Sequence, residues 1–303
     1  MNSITVVTPC LNEAANLRDC IIAVKNEIGE MGFDHIFIDN ASTDDSLHVL
    51  VKLKEEFPHI RVLSNSYNVG VFSSIQRALR EIKTEWVVPF FAADLQDPAH
   101  VIRAMIEVQK SEECDSVFAV RADRRESKAL SILRNLFYRV LRNATKGAYV
   151  IGTSEFCLIR FDAIKQLIQL NDPNPFLRIY LSQISGNVRY VEYKMEARQK
   201  GKSSASVFSL VDDALNGLSL VLPSVFSRVL LGSGVSLIMG IGLTLYSVFD
   251  IFLLPFNREG LLPIGITLMG FSVLFGLVAV VGHYVYLIHN SLRAGNVATT
   301  SEL

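Results

Sequence analysis

Charge is missing from two long stretches of this chain. Between Arg228 and Asp250 run 21 residues without Asp, Glu, Lys or Arg, "VLLGSGVSLIMGIGLTLYSVF", and Gly260 to Leu292 again carries none. At 1.5 Å per residue, 21 helical residues reach about 31 Å, the hydrocarbon thickness of a bilayer. Buried core helices are the alternative, but they rarely run so long without a charge. Two transmembrane helices are therefore predicted, over about residues 229–249 and 261–284. Cysteine is scarce as well: Cys10, Cys20, Cys114 and Cys157 show no paired spacing, so reduced thiols are expected. The start "MNSITVVTPCLNEAANL" lacks a basic segment followed by a long apolar run, so no secretory signal is expected. Neither G-x-G-x-x-G nor a P-loop occurs, which counts against a dinucleotide or ATP site of the usual kind. A net charge of -1 gives no hint of a nucleic-acid partner, and no repeat or low-complexity segment is present.

What is there is a strand–helix alternation. "ITVVTP", "HIFID", "IRVLS", "EWVVPFF" and "DSVFAV" read as strands, with helices over about 13–28, 43–57, 69–82 and 98–110. Continuous Val/Ile/Phe strands between helices predict an α/β fold with a mostly parallel sheet covered on both faces. Ligands in such sheets bind beyond the carboxyl ends of the strands. The polar motifs stand there: "PCLNE", "DNASTD", "NSYNVG" and "AADLQDP". Residues 121–146 form a basic, amphipathic stretch, read either as a solvated helix or as one near anionic headgroups. "SEFCLIRF", "PFLRIYLSQI" and "VRYVEYKM" complete the globular part.

The expected division is a domain over 1–205, interfacial helices over 206–227, the two-helix hairpin within 228–290 and a loosely ordered tail over 291–303. Lys200, Lys202 and Arg228 precede the first span and Arg293 follows the second, whereas Arg258 in the connecting loop is offset by Glu259. The positive-inside rule then places domain and tail in the cytoplasm. The sequons at Asn40 and Asn143 are read as chance. Gly232, Ser233, Gly234, Gly240 and Gly242 would permit close helix contact and a homo-oligomer.

Together, "VVTPCLNEAANL", "IDNASTDDS", "AADLQDP", "LFYRVL", the "GKSS" loop and "VGHYVYLIHNSLR" resemble, in order and spacing, a family 2 glycosyltransferase of the GT-A fold. The resemblance is to the group that moves a sugar from a nucleotide-sugar to a polyprenyl phosphate, such as dolichyl-phosphate mannose synthases and undecaprenyl-phosphate glucosyltransferases. It implies a membrane-bound, inverting, metal-assisted enzyme at the bacterial inner membrane. The expected donor is a UDP-hexose, with a GDP-mannose enzyme or an impaired nucleotide-sugar-binding scaffold as alternatives. A transporter is disfavoured, since the spans hold no intramembrane charge pair.

By the same resemblance, Asp94 and Gln96 hold Mg2+ or Mn2+, which needs few protein ligands beside phosphate and water. Ala92 replaces the first Asp of the family's D-x-D element. Nucleotide contacts are expected from Pro9, Asn12, Glu13, Asp39, Asn40, Ala93 and Asp94, although Asn12 and Glu13 also suit a helix cap. Catalytic roles are expected of Asp94, Glu155, Arg121 and Arg124. In the same segment as Glu155, Cys157 stands at a family Arg position and Arg160 near a second family Asp. Arg198, Lys200 and Lys202 are expected at the acceptor phosphate, with solvated surface as the alternative. Asp97, just before Pro98, reads as a helix N-cap.

Overall fold

The computed structural model describes residues 4–122, 153–169, 177, 181, 184, 186–198, 200, 222–253, 261–293 and 300–302. The chain forms two compact units, Met1–Val207 with Arg293–Leu303, and Phe208–Leu292. The basic stretch with Arg124, the "GKSS" loop with Lys202, Asn143 and the expected interfacial helices up to residue 221 lie outside the described residues.

In the first unit, β1 (Ile4–Cys10), β2 (Phe33–Asp39), β3 (Ile60–Asn65) and β4 (Trp86–Val88) alternate with α1 (Leu17–Ile28), α2 (Ser46–Glu56), α3 (Val71–Leu79) and α4 (His100–Glu112). Then come β5 (Ser116–Arg121), β6 (Thr153–Arg160), α5 (Phe161–Gln169) and β7 (Val188–Tyr193). The sheet order is β7-β5-β6-β4-β1-β2-β3-β8, with β8 (Thr300–Glu302) from the C-terminal tail.

Side-chain alternation explains the three layers. Val6 and Phe37 point into one apolar layer with Leu17, Ile21 and Val24 of α1 and Ile102 and Met105 of α4. Val7, Ile36 and Ile38 point into the other, with Ile75 and Leu79 of α3 and Ile164 of α5. Successive strand residues face opposite sides, so strands buried on both faces must be apolar throughout. Phe37 is fully buried, and truncation to Ala would cost about 3–5 kcal/mol.

The expected parallel sheet holds for β1 with β2, β1 with β4, β2 with β3 and β5 with β7. Corrections come at β6, which runs antiparallel between β4 and β5, and at the tail, where β8 pairs antiparallel with β3. Thr300 and Ser301 there pair with Asn65 and Ser64, covering backbone groups that an edge strand would expose. Because β6 is reversed, its first residues lie at the carboxyl end of β4.

The second unit contains α6 (Leu222–Leu253) and α7 (Leu261–Arg293). Both contain stretches long and apolar enough to cross a membrane, Val225–Asp250 and Leu261–Ile288. They meet through glycine: a Cβ on Gly240 would lie 2.7 Å from Met269 Cγ, and one on Gly265 would lie 2.5 Å from Thr244 Oγ1. Of the small residues expected at helix contacts, Gly240 and Ser233 face α7, and Gly232, Gly234 and Gly242 have open space within the chain.

Candidate active site

The loops after β1, β2 and β4 converge at the carboxyl edge of the sheet. Asn12 has a φ of 58°, so the chain turns before α1 can begin. Its Oδ1 accepts N–H groups from Thr43 at 2.8 Å and Asp44 at 3.3 Å, tying the first loop to the second. Asn12 and Glu13 therefore do not cap α1, which starts at Leu17. Pro9 lies within β1, opposite Ile38 of β2.

Asp39 ends β2 and is almost wholly buried. One carboxylate oxygen accepts the Ser42 N–H at 3.1 Å, and the other has no hydrogen-bond partner among the described residues. A buried acceptor left unpaired costs about 1–3 kcal/mol, so this position favours a ligand that donates. Asn40 differs. Its Oδ1 accepts from Asn65 Nδ2 at 3.2 Å and Val69 N–H at 2.9 Å, and its Nδ2 donates to Asn68 Oδ1 at 2.8 Å. This side chain joins the second loop to the third. Aspartate at 40 could not donate to Asn68. Asn68 also accepts the N–H of Gly70, whose φ of 84° suits glycine at the start of α3. Asn65 and Asn68 belong to the motif "NSYNVG", to which the sequence reading gave no role for either side chain.

In "AADLQDP", Leu95 adopts a φ of 57° and its N–H donates to Ala92 O at 3.4 Å. This left-handed turn brings the Gln96 N–H to within 3.2 Å of Asp94 Oδ1. Ala93 is buried in the core, leaving only its backbone to meet a ligand. Asp97 does not cap α4; its carboxylate takes the Arg121 guanidinium at 3.1 Å on both oxygens and the Tyr193 hydroxyl at 2.5 Å. Arg121, expected in a catalytic role, is thereby committed to Asp97. Burial works against the Arg121 charge, yet Asp97 and Tyr193 raise its pKa. Burial, then the Asp97 charge, pushes the Tyr193 phenol well above its ordinary value. Tyr193 was not foreseen.

Glu155 is buried where β5 and β6 lose register: Phe118 pairs with Cys157 but Val120 pairs with Thr153. Bulges of this kind re-aim side chains beside active sites. Cys157 lies in the core, where burial raises its thiol pKa, and does not replace a site arginine. Arg160 sits at the opposite end of β6, bonded to Glu85.

Segment 194–200 crosses this edge. The Glu196 N–H donates to Gln96 O at 2.9 Å, and Lys200 Nζ donates to Asp19 at 2.6 Å. Arg198 reaches Glu13 Oε1 at 2.5 Å and Asp94 Oδ2 at 3.7 Å. Arg198 is largely buried, whereas the Lys200–Asp19 pair is exposed at the surface. Among the described residues no three His, Cys, Asp or Glu side chains group as a metal cage. Asp94 and half-buried Gln96 suit a cation shared with substrate phosphates, and a guanidinium already stands against Asp94.

A mostly parallel sheet thus presents acidic groups in the loops at the carboxyl ends of β2 and β4. Residues 5–168 match the family described as Glycosyl transferase family 2, more than half of the chain, and the chain belongs to that family. CsbB of Bacillus subtilis (strain 168), a glycosyltransferase by name, is 26% identical over 217 residues, covering 71% of this chain and 65% of CsbB. Bactoprenol glucosyl transferase of Shigella phage SfX is 26% identical over 219 residues, 71% of each chain. The chain thus spans about two thirds of the length of these curated relatives. Glucosyl-3-phosphoglycerate synthase from Mycobacterium tuberculosis, solved with Mn2+, UDP and phosphoglyceric acid, aligns with a TM-score of 0.54 at 16% identity. That alignment covers 73% of this chain and 78% of the synthase. Its likeness establishes the GT-A fold.

Proposed function

We propose that this glycosyltransferase moves a hexose from a UDP-sugar to a polyprenyl phosphate, with inversion, at the cytoplasmic face of a bacterial inner membrane. One observation carries the reading: a family 2 domain with carboxylates at its substrate edge is joined to two helices apolar enough to cross a bilayer. A lipid-borne acceptor is the substrate class that explains both halves, and bactoprenol in the name of a relative supports it.

The buried oxygen of Asp39 would accept an N–H from the base or a hydroxyl from the ribose, which positions the nucleoside beside β1. The diphosphate then extends toward Asp94, in the loop after β4, the strand on the other side of β1. Asp94 and Gln96 would hold the divalent ion. When bound, that ion offsets charge on the departing diphosphate. The acceptor phosphate, with a second pKa near 6, is largely ionised at neutral pH and attacks the sugar's anomeric carbon without a general base. The bond from that carbon to the diphosphate oxygen breaks as the new one forms. Glu155 and Lys200 line this edge, and Arg124 and Lys202 are proposed to meet the lipid phosphate from segments outside the described residues.

Purified full-length protein with radiolabelled UDP-sugars, undecaprenyl phosphate and Mg2+ or Mn2+ should yield a lipid-extractable labelled sugar. Asp94→Asn should lower turnover at least 100-fold, the scale of a lost charge-stabilising group. Nucleotide-sugar binding without product from any donor would instead identify the scaffold that Ala92 allows.

A further inference from the structure

We propose that Arg198 is a built-in cation of the donor site. Its guanidinium spans Glu13 and Asp94, and it competes with an incoming divalent ion for Asp94. The proposal deepens the reading above and rests on it.

Glu13 follows β1 and Asp94 follows β4, and these strands are neighbours in the sheet. Their side chains are only 18% and 13% exposed, so water screens their mutual repulsion poorly. Arg198, itself 17% exposed, places one terminal nitrogen on each. Its Nε donates to Lys200 O at 3.0 Å, which fixes the plane of the fork.

The two arms are unequal. The Glu13 arm is a 2.5 Å hydrogen bond, and Glu13's other oxygen accepts from Asn16 Nδ2 at 2.5 Å. The Asp94 arm is a looser 3.7 Å ion pair. Asp94 Oδ1 is occupied by the Gln96 N–H, so Oδ2 is the oxygen turned toward the guanidinium. A metal ion held by Oδ2 would displace the guanidinium from it. Exchange therefore breaks only the weaker arm. Arg198 stays anchored on Glu13 and beside the incoming diphosphate, where a planar guanidinium binds phosphate oxygens well.

Ala92 sharpens the consequence. With alanine there, Asp94 is the one carboxylate of this turn facing Arg198, and an internal cation already neutralises it. A divalent ion alone should bind weakly, and the ion with a nucleoside diphosphate should bind much better. A merely structural arginine would not oppose the metal, and an arginine that served only phosphate would leave nucleotide-free metal affinity unchanged.

The test uses the full chain in detergent micelles, with Mn2+ titrated while the free-ion paramagnetic signal is followed, first without nucleotide and then with UDP. Arg198→Ala and the milder Arg198→Gln should bind Mn2+ alone about five- to tenfold more tightly than wild type, because Asp94 is released from its ion pair. Arg198→Lys, which keeps the charge, should stay near wild type. UDP should raise Mn2+ affinity more in wild type than in Arg198→Ala. Fluorescence of Trp86, the single tryptophan, checks that each variant is folded. Folded Ala and Gln variants with unchanged or weaker Mn2+ binding would overturn the competition alone. Wild type that binds no Mn2+ even with UDP would overturn the competition and the metal-assisted reading together.

Discussion

Asp97 shows how a residue's role depends on partners far away in sequence. Local pattern made it a helix cap, yet its carboxylate is buried against Arg121 and Tyr193, 24 and 96 residues away. No window of sequence displays that pairing. Asp94, three residues earlier, takes its expected role from a contiguous motif that a sequence window does display. Breaking a buried ion pair on one side strands the other charge, at about 3–5 kcal/mol. Arg121→Met should therefore destabilise the domain by about 3 kcal/mol in denaturant unfolding followed by Trp86 fluorescence. Asp97→Asn combined with Arg121→Met should lose less than Arg121→Met alone, because no buried charge remains; an equal or greater loss would show that packing dominates. His35 gives a second prediction. It is fully buried between Phe33 and Phe37 with its Nε2 2.8 Å from Thr8 Oγ1, and burial, aided by His59, pushes its pKa down to about 3. The folded imidazole stays neutral where the unfolded one, near 6.5, takes a proton. The unfolded state thus binds more protons between about pH 6.5 and 3, and this residue subtracts about 1.4 kcal/mol per pH unit as pH falls through that window. His35→Phe should flatten the acid limb of a stability-against-pH curve by close to one proton, as read from midpoints between pH 4 and 7.

At the level of elements, alternation was readable because a strand covered on both faces must be continuously apolar and its helices amphipathic. Orientation was not. "SEFCLIRF" has the composition of any buried strand, and nothing in it specifies that it enters antiparallel or that Ser154 to Phe156 bulge against Ala119. Helix starts were read too early for a definite reason: Asn12 in the left-handed region makes a loop of the segment before Leu17. The tail went unrecognised because three residues carry almost no local strand signal, and the edge of β3 supplies the template. In the apolar hairpin, length and missing charge announced the helices and small residues pointed to Gly240, while its counterpart Gly265 on α7 emerged only in three dimensions. Gly265 abuts Thr244, with a substituted Cβ 3.0 Å from its backbone nitrogen, and Gly270 faces open space. Gly265→Ala should destabilise the hairpin by about 1–2 kcal/mol, since extra volume there must push the helices apart. Gly270→Ala should stay within about 0.5 kcal/mol. Thermal unfolding in micelles separates the two, and equal effects would mean that the close approach does not hold the helices together.

For the whole molecule, the open matter is which side of a membrane the domain occupies. The first unit contains residues on both flanks of the hairpin, those before Phe208 and those from Arg293 onward. A single pair of spans connects such flanks most simply when both lie on one side and the short link between α6 and α7 lies on the other. Lys200 and Lys202 before α6 and Arg293 at the end of α7, against a link in which Glu259 offsets Arg258, then support the proposed cytoplasmic side for the domain. UDP-sugars are made there, so the same orientation serves the proposed chemistry. The native thiols make a direct test practicable: Cys10, Cys20, Cys114 and Cys157 are all buried and should give little background with a membrane-impermeant maleimide. Asn257→Cys, in the link, should label in intact spheroplasts. Glu55→Cys, on the exposed face of α2, should label only after the membrane is opened. The reverse pattern would put the carboxylate edge outside the cell, away from nucleotide-sugars. Labelling of both sites in intact cells would mean that the two apolar helices do not separate the compartments, and an acceptor delivered through the bilayer would lose its physical basis.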